Sequence, residues 1–196
     1  IDIAQKLTPH VVIVGYGRVG RAVGEILQDQ GIDHVAIDIN PDRVASLRLS
    51  GAEIHHGDAR RIDILKRLAT SQASCLVVTL DNPKATRLVV KAARRAWPDL
   101  PIIARARDEA HAAQLAAQGA TSVIQETVET GLLLGEGVLV STGMPDDLAR
   151  RLIAERREAW QSRPTGRQAQ PPNSGIGGSA PGLRQEDPGG GAHPGP

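Results

Sequence analysis

Short apolar runs alternate along the chain with longer segments in which apolar residues recur at helical spacing. The runs lie at residues 11–14, 34–38, 53–56, 75–80, 101–105 and 121–125. Runs that are apolar on both faces, and that are separated by crossovers of helical length, are typical of a parallel sheet with helices on both sides. The pattern therefore predicts an α/β, Rossmann-like, doubly wound sheet of six parallel strands in the order 3-2-1-4-5-6.

A GxGxxG motif, residues 15–20, lies between the first apolar run and a helical segment; we call it the glycine loop. In such loops Gly15 would permit the tight turn, Gly17 would let the backbone approach a phosphate, and Gly20 would let the helix pack on the strand. The free N–H groups and the helix dipole then face the anion. The loop predicts a phosphate-binding site, the alternative being a glycine-rich turn without a ligand.

Asp38 ends the second strand, near the offset of about 20 residues from the glycine loop at which an acid hydrogen-bonds an adenosine ribose. A carboxylate there repels a 2′-phosphate, which favours NAD, AMP or ATP over NADP. Arg43 is close in sequence, but we expect it on the outer face of the next helix. The alternative for Asp38 is a solvated acid at a strand end. Asn40 precedes a proline and predicts a helix N-cap.

Further polar residues end the other strands of the predicted sheet. Asp58 and Ala59 follow the third strand, and Thr79, Leu80 and Asp81 lie at the end of the fourth. Strands one and four flank the switch point at which ligands bind in such sheets. We expect these residues to line one crevice, with ordinary loop capping as the alternative for the two acids.

The segment after the sixth strand is predicted to be an unusually apolar helix. Arg105 ends the fifth strand and Glu126 ends the sixth, immediately before this helix at residues 128–140. Its residues Gly131 and Gly135 are four apart, a spacing that lets another helix approach closely. Because the sheet can cover only one side of such a helix, we expect a second subunit on the other.

Composition limits the number of domains and the classes of partner. The chain has 196 residues, 40% of them hydrophobic, which is enough for one domain of ordinary size, placed at residues 8–161. Residues 163–196 are rich in Gly and Pro and predict a disordered tail or, alternatively, a docking peptide. The 23 basic residues nearly balance the 22 acidic ones, and aromatics make up 2%. Nucleic acid is therefore not an expected partner.

Catalytic and metal-binding patterns are weak. Cys75 is the only cysteine, which excludes an internal disulfide and a thiolate-rich metal site in one chain. The strand pattern points His55 and His56 to opposite faces, which spoils them as a ligand pair. Six strands and their helices leave no room for a substrate domain, so we expect no enzyme, the alternative being a small NAD-dependent oxidoreductase.

Together these motifs resemble an RCK (TrkA-N) domain over residues 10–158. The segments that carry the resemblance are HVVIVGYGRVGRAVGEIL, VAIDINPDRV, GDA at 57–59, RARD at 105–108 and VIQETVETGLLLGEGVL. They are most similar to the cytosolic C-terminal domain of Kef-type monovalent cation:proton antiporters. One position departs from the best-known, glutathione-closed members, which carry Phe in the glycine loop where this chain has Val19.

The resemblance implies a regulatory domain that gates potassium/proton antiport by binding AMP, NAD(H) or ATP. A soluble TrkA-like subunit of a K+ uptake system is the alternative. The implied cofactor-binding residues are Gly15, Gly17, Arg18, Val19, Gly20, Asp38, Asn40, Asp58, Ala59, Thr79, Leu80, Asp81, Arg105 and Glu126. Among them Arg105 would face phosphate and Glu126 would lie at the subunit boundary.

The resemblance also implies an assembly. A homodimer would form through a crossover helix at residues 127–142, followed by a C-terminal helix. The chain starts at Ile1 and has a single methionine, so we expect it to be a segment of a longer polypeptide. An antiporter membrane domain would precede it, and the domain would lie at the cytoplasmic face of the inner membrane.

Overall fold

The computed structural model describes residues 9–161, so the tail predicted at 163–196 lies outside the described residues. Strands and helices alternate through this part of the chain. The strands are β1 (Val11–Val14), β2 (His34–Asp38), β3 (Ile54–His56), β4 (Cys75–Val78), β5 (Ile102–Ala106) and β6 (Ser122–Gln125). The helices are α1 (Arg18–Asp29), α2 (Pro41–Leu49), α3 (Ile62–Arg67), α4 (Pro83–Ala96), α5 (Glu109–Ala117), α6 (Glu126–Ser141) and α7 (Asp146–Gln161).

All six strands form one parallel sheet in the order β3-β2-β1-β4-β5-β6. The predicted fold class and strand order are confirmed. In the centre of the sheet, Val14 of β1 is paired with Ile37 of β2 on one side and with Val78 of β4 on the other. The fourth strand ends two residues earlier than predicted, and the residues beyond Val78 line the crevice described below.

Alternate residues of β1 pack into two apolar layers, one on each face of the sheet. Val12 and Val14 join buried side chains of α3, α4 and α5. Val11 and Ile13 join a smaller cluster with side chains from α1 and α2. Because both faces are covered, β1 is buried along its length, which explains why its sequence does not alternate between apolar and polar residues.

Two glycines let α1 lie unusually close to β1 and the loop that follows it. A Cβ atom at Gly20 would overlap the carbonyl oxygen of Gly15, and one at Gly24 would overlap the hydroxyl of Tyr16. The Tyr16 hydroxyl lies 3.2 Å from Nε2 of His34 on β2. Burial, together with the nearby charge of Glu25, raises the pKa of Tyr16. The start of α1 is therefore fixed at the carboxyl edge of the sheet.

The last two helices pack on each other and leave one face of α6 uncovered. A Cβ atom at Gly135 would lie 3.6 Å from Cδ1 of Ile153 on α7, whereas one at Gly131 would have open space around it within the described chain. Gly135 thus faces a helix of its own chain, although the sequence suggested a second subunit there. Leu133, Leu134 and Val138 on α6 remain exposed in the described chain.

Among residues 9–161, no helix combines the length and the apolar character that a membrane span requires.

Candidate functional site

A cavity of about 610 Å³ lies at the carboxyl ends of the strands, between β1 and β4. The structure brings most of the residues predicted for the site into its walls. Those that line it are Gly15, Gly17, Arg18, Val19, Asp38, Asp58, Ala59, Thr79, Leu80, Asp81, Arg105 and Glu126. Gly20 and Asn40 do not line it. Gly20 makes room for α1, and the Asn40 side chain caps α2 by accepting a hydrogen bond from the Arg43 backbone N–H at 2.9 Å.

The glycine loop forms the wall of the cavity where α1 begins. Gly15 adopts a φ of +86°, in the left-handed region that favours glycine, and its N–H donates to the Ile37 carbonyl at 2.8 Å. Gly17 is the N-cap residue of α1 and provides no side-chain hydrogen bond. The first N–H groups of α1 therefore lack intrahelical and side-chain partners and are available to an anion.

Thr79 connects the glycine loop to β4. Its hydroxyl donates to the Gly15 carbonyl at 2.6 Å, and its backbone N–H donates to the Val14 carbonyl at 2.9 Å. A Cβ at Gly15 would lie 2.9 Å from the side chain of Leu80, the next residue of the chain. These contacts hold the two walls of the switch-point crevice at a fixed separation.

Asp38 is only 4% exposed and accepts three hydrogen bonds. Its Oδ2 accepts from the Tyr16 N–H at 2.7 Å and from Nη1 of Arg43 at 2.8 Å, and its Oδ1 accepts from the Asn40 N–H at 2.9 Å. Burial by itself would raise the pKa of Asp38, but these hydrogen bonds and the charge of Arg43 outweigh it and lower the pKa. Asp38 is therefore a buried carboxylate that stays ionised.

The expectation that Arg43 lies on the outer face of its helix is wrong. Arg43 is the third residue of α2, and its side chain reaches back to Asp38 and lines the cavity. Side chains in helices tilt toward the N-terminus, so a long residue in the first turn can reach the strand end before it. Arg43 is thus a site residue that the sequence analysis missed, although this tilt could have identified it.

The opposite end of the cavity holds an arginine between two acids. Nη1 of Arg105 donates to Oδ1 of Asp81 at 2.6 Å, and its Nη2 and Nε donate to Oε2 of Glu126 at 2.5 Å and 3.1 Å. Burial by itself would lower the pKa of Arg105, but its bonds to Glu126 and Asp81 raise it. Arg105, at the end of β5, therefore links the segment after β4 to the start of α6.

The arginines that line the cavity differ in whether they are already paired. Asp58 is held by Arg60, with Nη2 and Oδ2 2.6 Å apart, and this hydrogen bond lowers the pKa of Asp58. Arg43 and Arg105 are also bonded to carboxylates. Within the described chain, Arg18 is exposed at the start of α1 with no carboxylate bound to it. It is the arginine best placed to meet an added anion.

Metal and thiol chemistry receive no support from the described residues. No group of three or more His, Cys, Asp or Glu side chains in residues 9–161 could hold a metal ion. Cys75 is half-buried at the start of β4, and burial raises the pKa of its thiol, which disfavours the reactive thiolate. Among the described residues, the site offers a ligand charged side chains and the free N–H groups at the start of α1.

Comparison with known proteins identifies similar domains. The family model for the TrkA-N domain matches residues 11–126. The AMP-bound C-terminal domain of Shewanella denitrificans Kef is 32% identical, with a TM-score of 0.68 over 78% of this chain and 92% of that one. The TrkA-N domain of the inner membrane protein ybaL from Escherichia coli is 33% identical, with a TM-score of 0.61 over 64% and 93%.

A longer curated relative contains a segment similar to this chain. The glutathione-regulated potassium-efflux system protein KefC of Escherichia coli O139:H28 is 35% identical over 157 residues. The match covers 80% of this chain but only 25% of KefC. The chain therefore spans about a quarter of the length of the curated relatives it matches.

Proposed function

The chain belongs to the TrkA-N domain family, and from that membership we propose that residues 8–161 form an adenine-nucleotide-binding regulatory domain that gates potassium/proton antiport. The observation that carries the proposal is one cavity lined by four residues of the glycine loop, by the buried Asp38 carboxylate and by Arg105. Its volume of about 610 Å³ is within the range of small-molecule sites. The ligand is AMP, NAD(H) or ATP, and AMP is bound in the similar Kef domain.

Each part of the ligand has a matching part of the cavity. Phosphate would accept hydrogen bonds from the first N–H groups of α1 and would meet the guanidinium of Arg18, which binds no carboxylate within residues 9–161. A ribose hydroxyl would donate to Oδ1 of Asp38, which accepts only one hydrogen bond within the described chain. The adenosine end would lie toward Asp58 and Ala59.

Arg105 would link the binding of a charged ligand to the position of α6. It binds Glu126, which is the first residue of α6. A phosphate that approaches Arg105 would compete with Glu126 for the same N–H donors, because a guanidinium has a fixed set of them. Weakening that bond would free the start of α6. Ligand binding and α6 geometry would then be coupled, typically by about 1 to 3 kcal/mol.

The same proposal assigns partners and location. α6 exposes Leu133, Leu134 and Val138, which suits a homodimer through residues 127–142. An antiporter membrane domain would precede the chain in the same polypeptide, as the match to a quarter of KefC suggests. The domain would then lie at the cytoplasmic face of the inner membrane. It would bind its nucleotide without transforming it.

Titration calorimetry of the 196-residue chain with AMP, ATP, NAD and NADH tests the binding. At least one nucleotide should bind, and Asp38→Ala should weaken it by about 1 to 3 kcal/mol, the scale of a hydrogen bond to a charged group. Asp99→Ala, an exposed acid outside the cavity, is the matched control and should bind like the wild type. Failure of all four nucleotides to bind would overturn the proposal.

A second assay separates a binding domain from an oxidoreductase. NADH should not be oxidised faster than in a protein-free control when common carbonyl compounds are supplied. A turnover on the order of 1 per second would instead indicate an enzyme.

A further inference from the structure

Asp38, the residue expected to recognise the ribose, does not face the cavity as a bare carboxylate. Two backbone N–H groups and the guanidinium of Arg43 already donate to it. Oδ2 accepts two of these hydrogen bonds and Oδ1 accepts one. The ribose end of the site is therefore an ion pair. The negative charge of Asp38, which would repel a phosphate on the ribose, is largely compensated by Arg43.

Arg43 retains donors for a ligand after binding Asp38. Only its Nη1 bonds to the carboxylate, so further N–H groups of the guanidinium remain. Its side chain is 42% exposed, whereas that of Asp38 is 3% exposed. A Cβ at Gly17 would lie 4.0 Å from Nη1 of Arg43, which places the guanidinium beside the glycine loop. The more exposed part of the pair is thus its cationic half.

A second cavity, of about 440 Å³, adjoins this point between α1 and α2. Arg18 and Arg43 line both this cavity and the main one. Arg21 lines the second cavity too, with its guanidinium 3.7 Å from Glu25. A group attached to the ribose near Asp38 would therefore have space to enter and would meet Arg18 and Arg43, the two arginines that line both cavities.

On these grounds we propose that the site accepts an adenosine whose ribose carries a 2′-phosphate, the group that distinguishes NADP(H) from NAD(H), and that Arg43 determines this specificity. An arginine near the acid at the end of the second strand is the means by which related dinucleotide sites accommodate that phosphate. The inference rests on the proposed function, since it concerns the same site. It also replaces the expectation that Asp38 excludes NADP.

Two ligands that differ only in the 2′-phosphate provide the test: AMP and adenosine 2′,5′-bisphosphate. Calorimetry on the full chain should give dissociation constants for the two within about tenfold of each other. Arg43→Gln should weaken binding of the bisphosphate by about tenfold or more and change binding of AMP by less than about threefold. The reason is that only the bisphosphate loses a charge-assisted hydrogen bond. Arg43→Lys keeps the charge and should therefore retain much of the bisphosphate affinity that Arg43→Gln loses. Arg43→Gln should likewise weaken binding of NADP more than binding of NAD.

Controls distinguish Arg43 from charge in general and from unfolding. Arg95→Gln removes an exposed arginine of α4 that lines neither cavity and should bind both ligands like the wild type. Adenosine 3′,5′-bisphosphate carries the same charge at the neighbouring position and should be less sensitive to Arg43→Gln. The thermal unfolding midpoint of each variant checks that the fold is intact.

Each remaining outcome counts against a specific statement. If AMP binds but the 2′,5′-bisphosphate binds more than about 100-fold more weakly, the specificity inference is wrong and the nucleotide site stands. If Arg43→Gln weakens AMP and both bisphosphates equally, Arg43 acts only as a general attraction and the inference is also wrong. If no adenine nucleotide binds, the proposed function itself fails.

Discussion

Asp38 is 4% exposed and accepts three hydrogen bonds, whereas Leu133 and Leu134 on α6 are 63% and 67% exposed and have no cover within the described chain. The two regions thus differ in how much of their surface is covered by the chain itself. Around the glycine loop, the polypeptide supplies its own walls, caps and counter-charges. On α6 the described chain leaves large apolar side chains uncovered. The first region suits a small ligand and the second a macromolecular partner.

The same contrast appears in the glycines of the two regions. At Gly20 an added carbon would overlap the Gly15 carbonyl, but at Gly131 and Gly137 it would meet nothing within 4 Å. A methyl group is therefore a probe of how complete each region is. An added methyl group should lower the free energy of unfolding where the position is tightly packed. Where the position is open, it should leave that free energy unchanged or raise it.

The largest effect is expected for Gly20→Ala. The new Cβ would press on a backbone oxygen, which cannot rotate away, so α1 would have to move from β1. Overpacking of this kind should lower the free energy of unfolding by about 3 kcal/mol, measured by urea denaturation. Gln28→Ala, on the exposed side of the same helix, should change it by less than about 0.5 kcal/mol. Equal stability of the two variants would mean that the crevice is not closely packed.

A smaller effect is expected for Leu133→Asp in sedimentation analysis. If α6 forms the dimer, a buried carboxylate at its contact should raise the dissociation constant by tenfold or more, about 1.4 kcal/mol. Leu49→Asp is the control, because Leu49 is 91% exposed but lies on α2. Sedimentation of the wild type as a monomer at high micromolar concentration, with and without nucleotide, would contradict the dimer.

Gly131→Ala should sharpen the same point with a smaller change. In an isolated chain, alanine is a better helix residue than glycine and should stabilise α6 by about 0.5 to 1 kcal/mol. In a dimer that packs closely at Gly131, the methyl group should instead weaken association. Comparison of thermal unfolding at low and high protein concentration separates the two cases, and Gly137→Ala gives the reference for an equally open position.

The smallest change is expected in acid. The pKa of Asp38 is below its ordinary value of 3.8 in the folded chain, so its stabilising contribution is present above 3.8 and is lost as the pH falls through the lowered pKa. Asp38→Asn should make the free energy of unfolding less steeply dependent on pH below about 4. The difference should be modest because Asp38 is one of 22 acidic residues. An unchanged slope would mean that the ion pair is not maintained in solution.

The sheet was predictable from sequence because its determinants are local. Both-face apolar runs define β1 and β4, and the glycine loop marks the turn between β1 and α1. Apolar periodicity shows which elements exist, and chain connectivity restricts their order to a few possibilities. The strand order and the neighbourhood of the site residues follow from those two facts.

The pairing of charges was not predictable in the same way. Sequence places Asp81, Arg105 and Glu126 each at the end of a strand, but the distances between those ends depend on the twist and stagger of the sheet. For Arg43 the error was of another kind. Its position in the first turn of α2 was predictable, and only the direction in which its side chain points was predicted wrongly. The packing of Tyr16 on Gly24 needs the orientation of a ring, which no spacing rule supplies.

The position of β1 between β2 and β4 determines how late in synthesis both of its edges can be paired. The edge of β1 that faces β2 can be paired once residues 34–37 have been synthesised, but its other edge must wait for residues 75–78. Until then the nascent chain exposes one unpaired apolar edge, and Thr79 and Leu80 have not yet formed the second wall of the crevice. A nucleotide in the crevice would therefore stabilise the domain only after β4 and the residues that follow it have been synthesised, and until then the unpaired edge of β1 would be open to incorrect pairing.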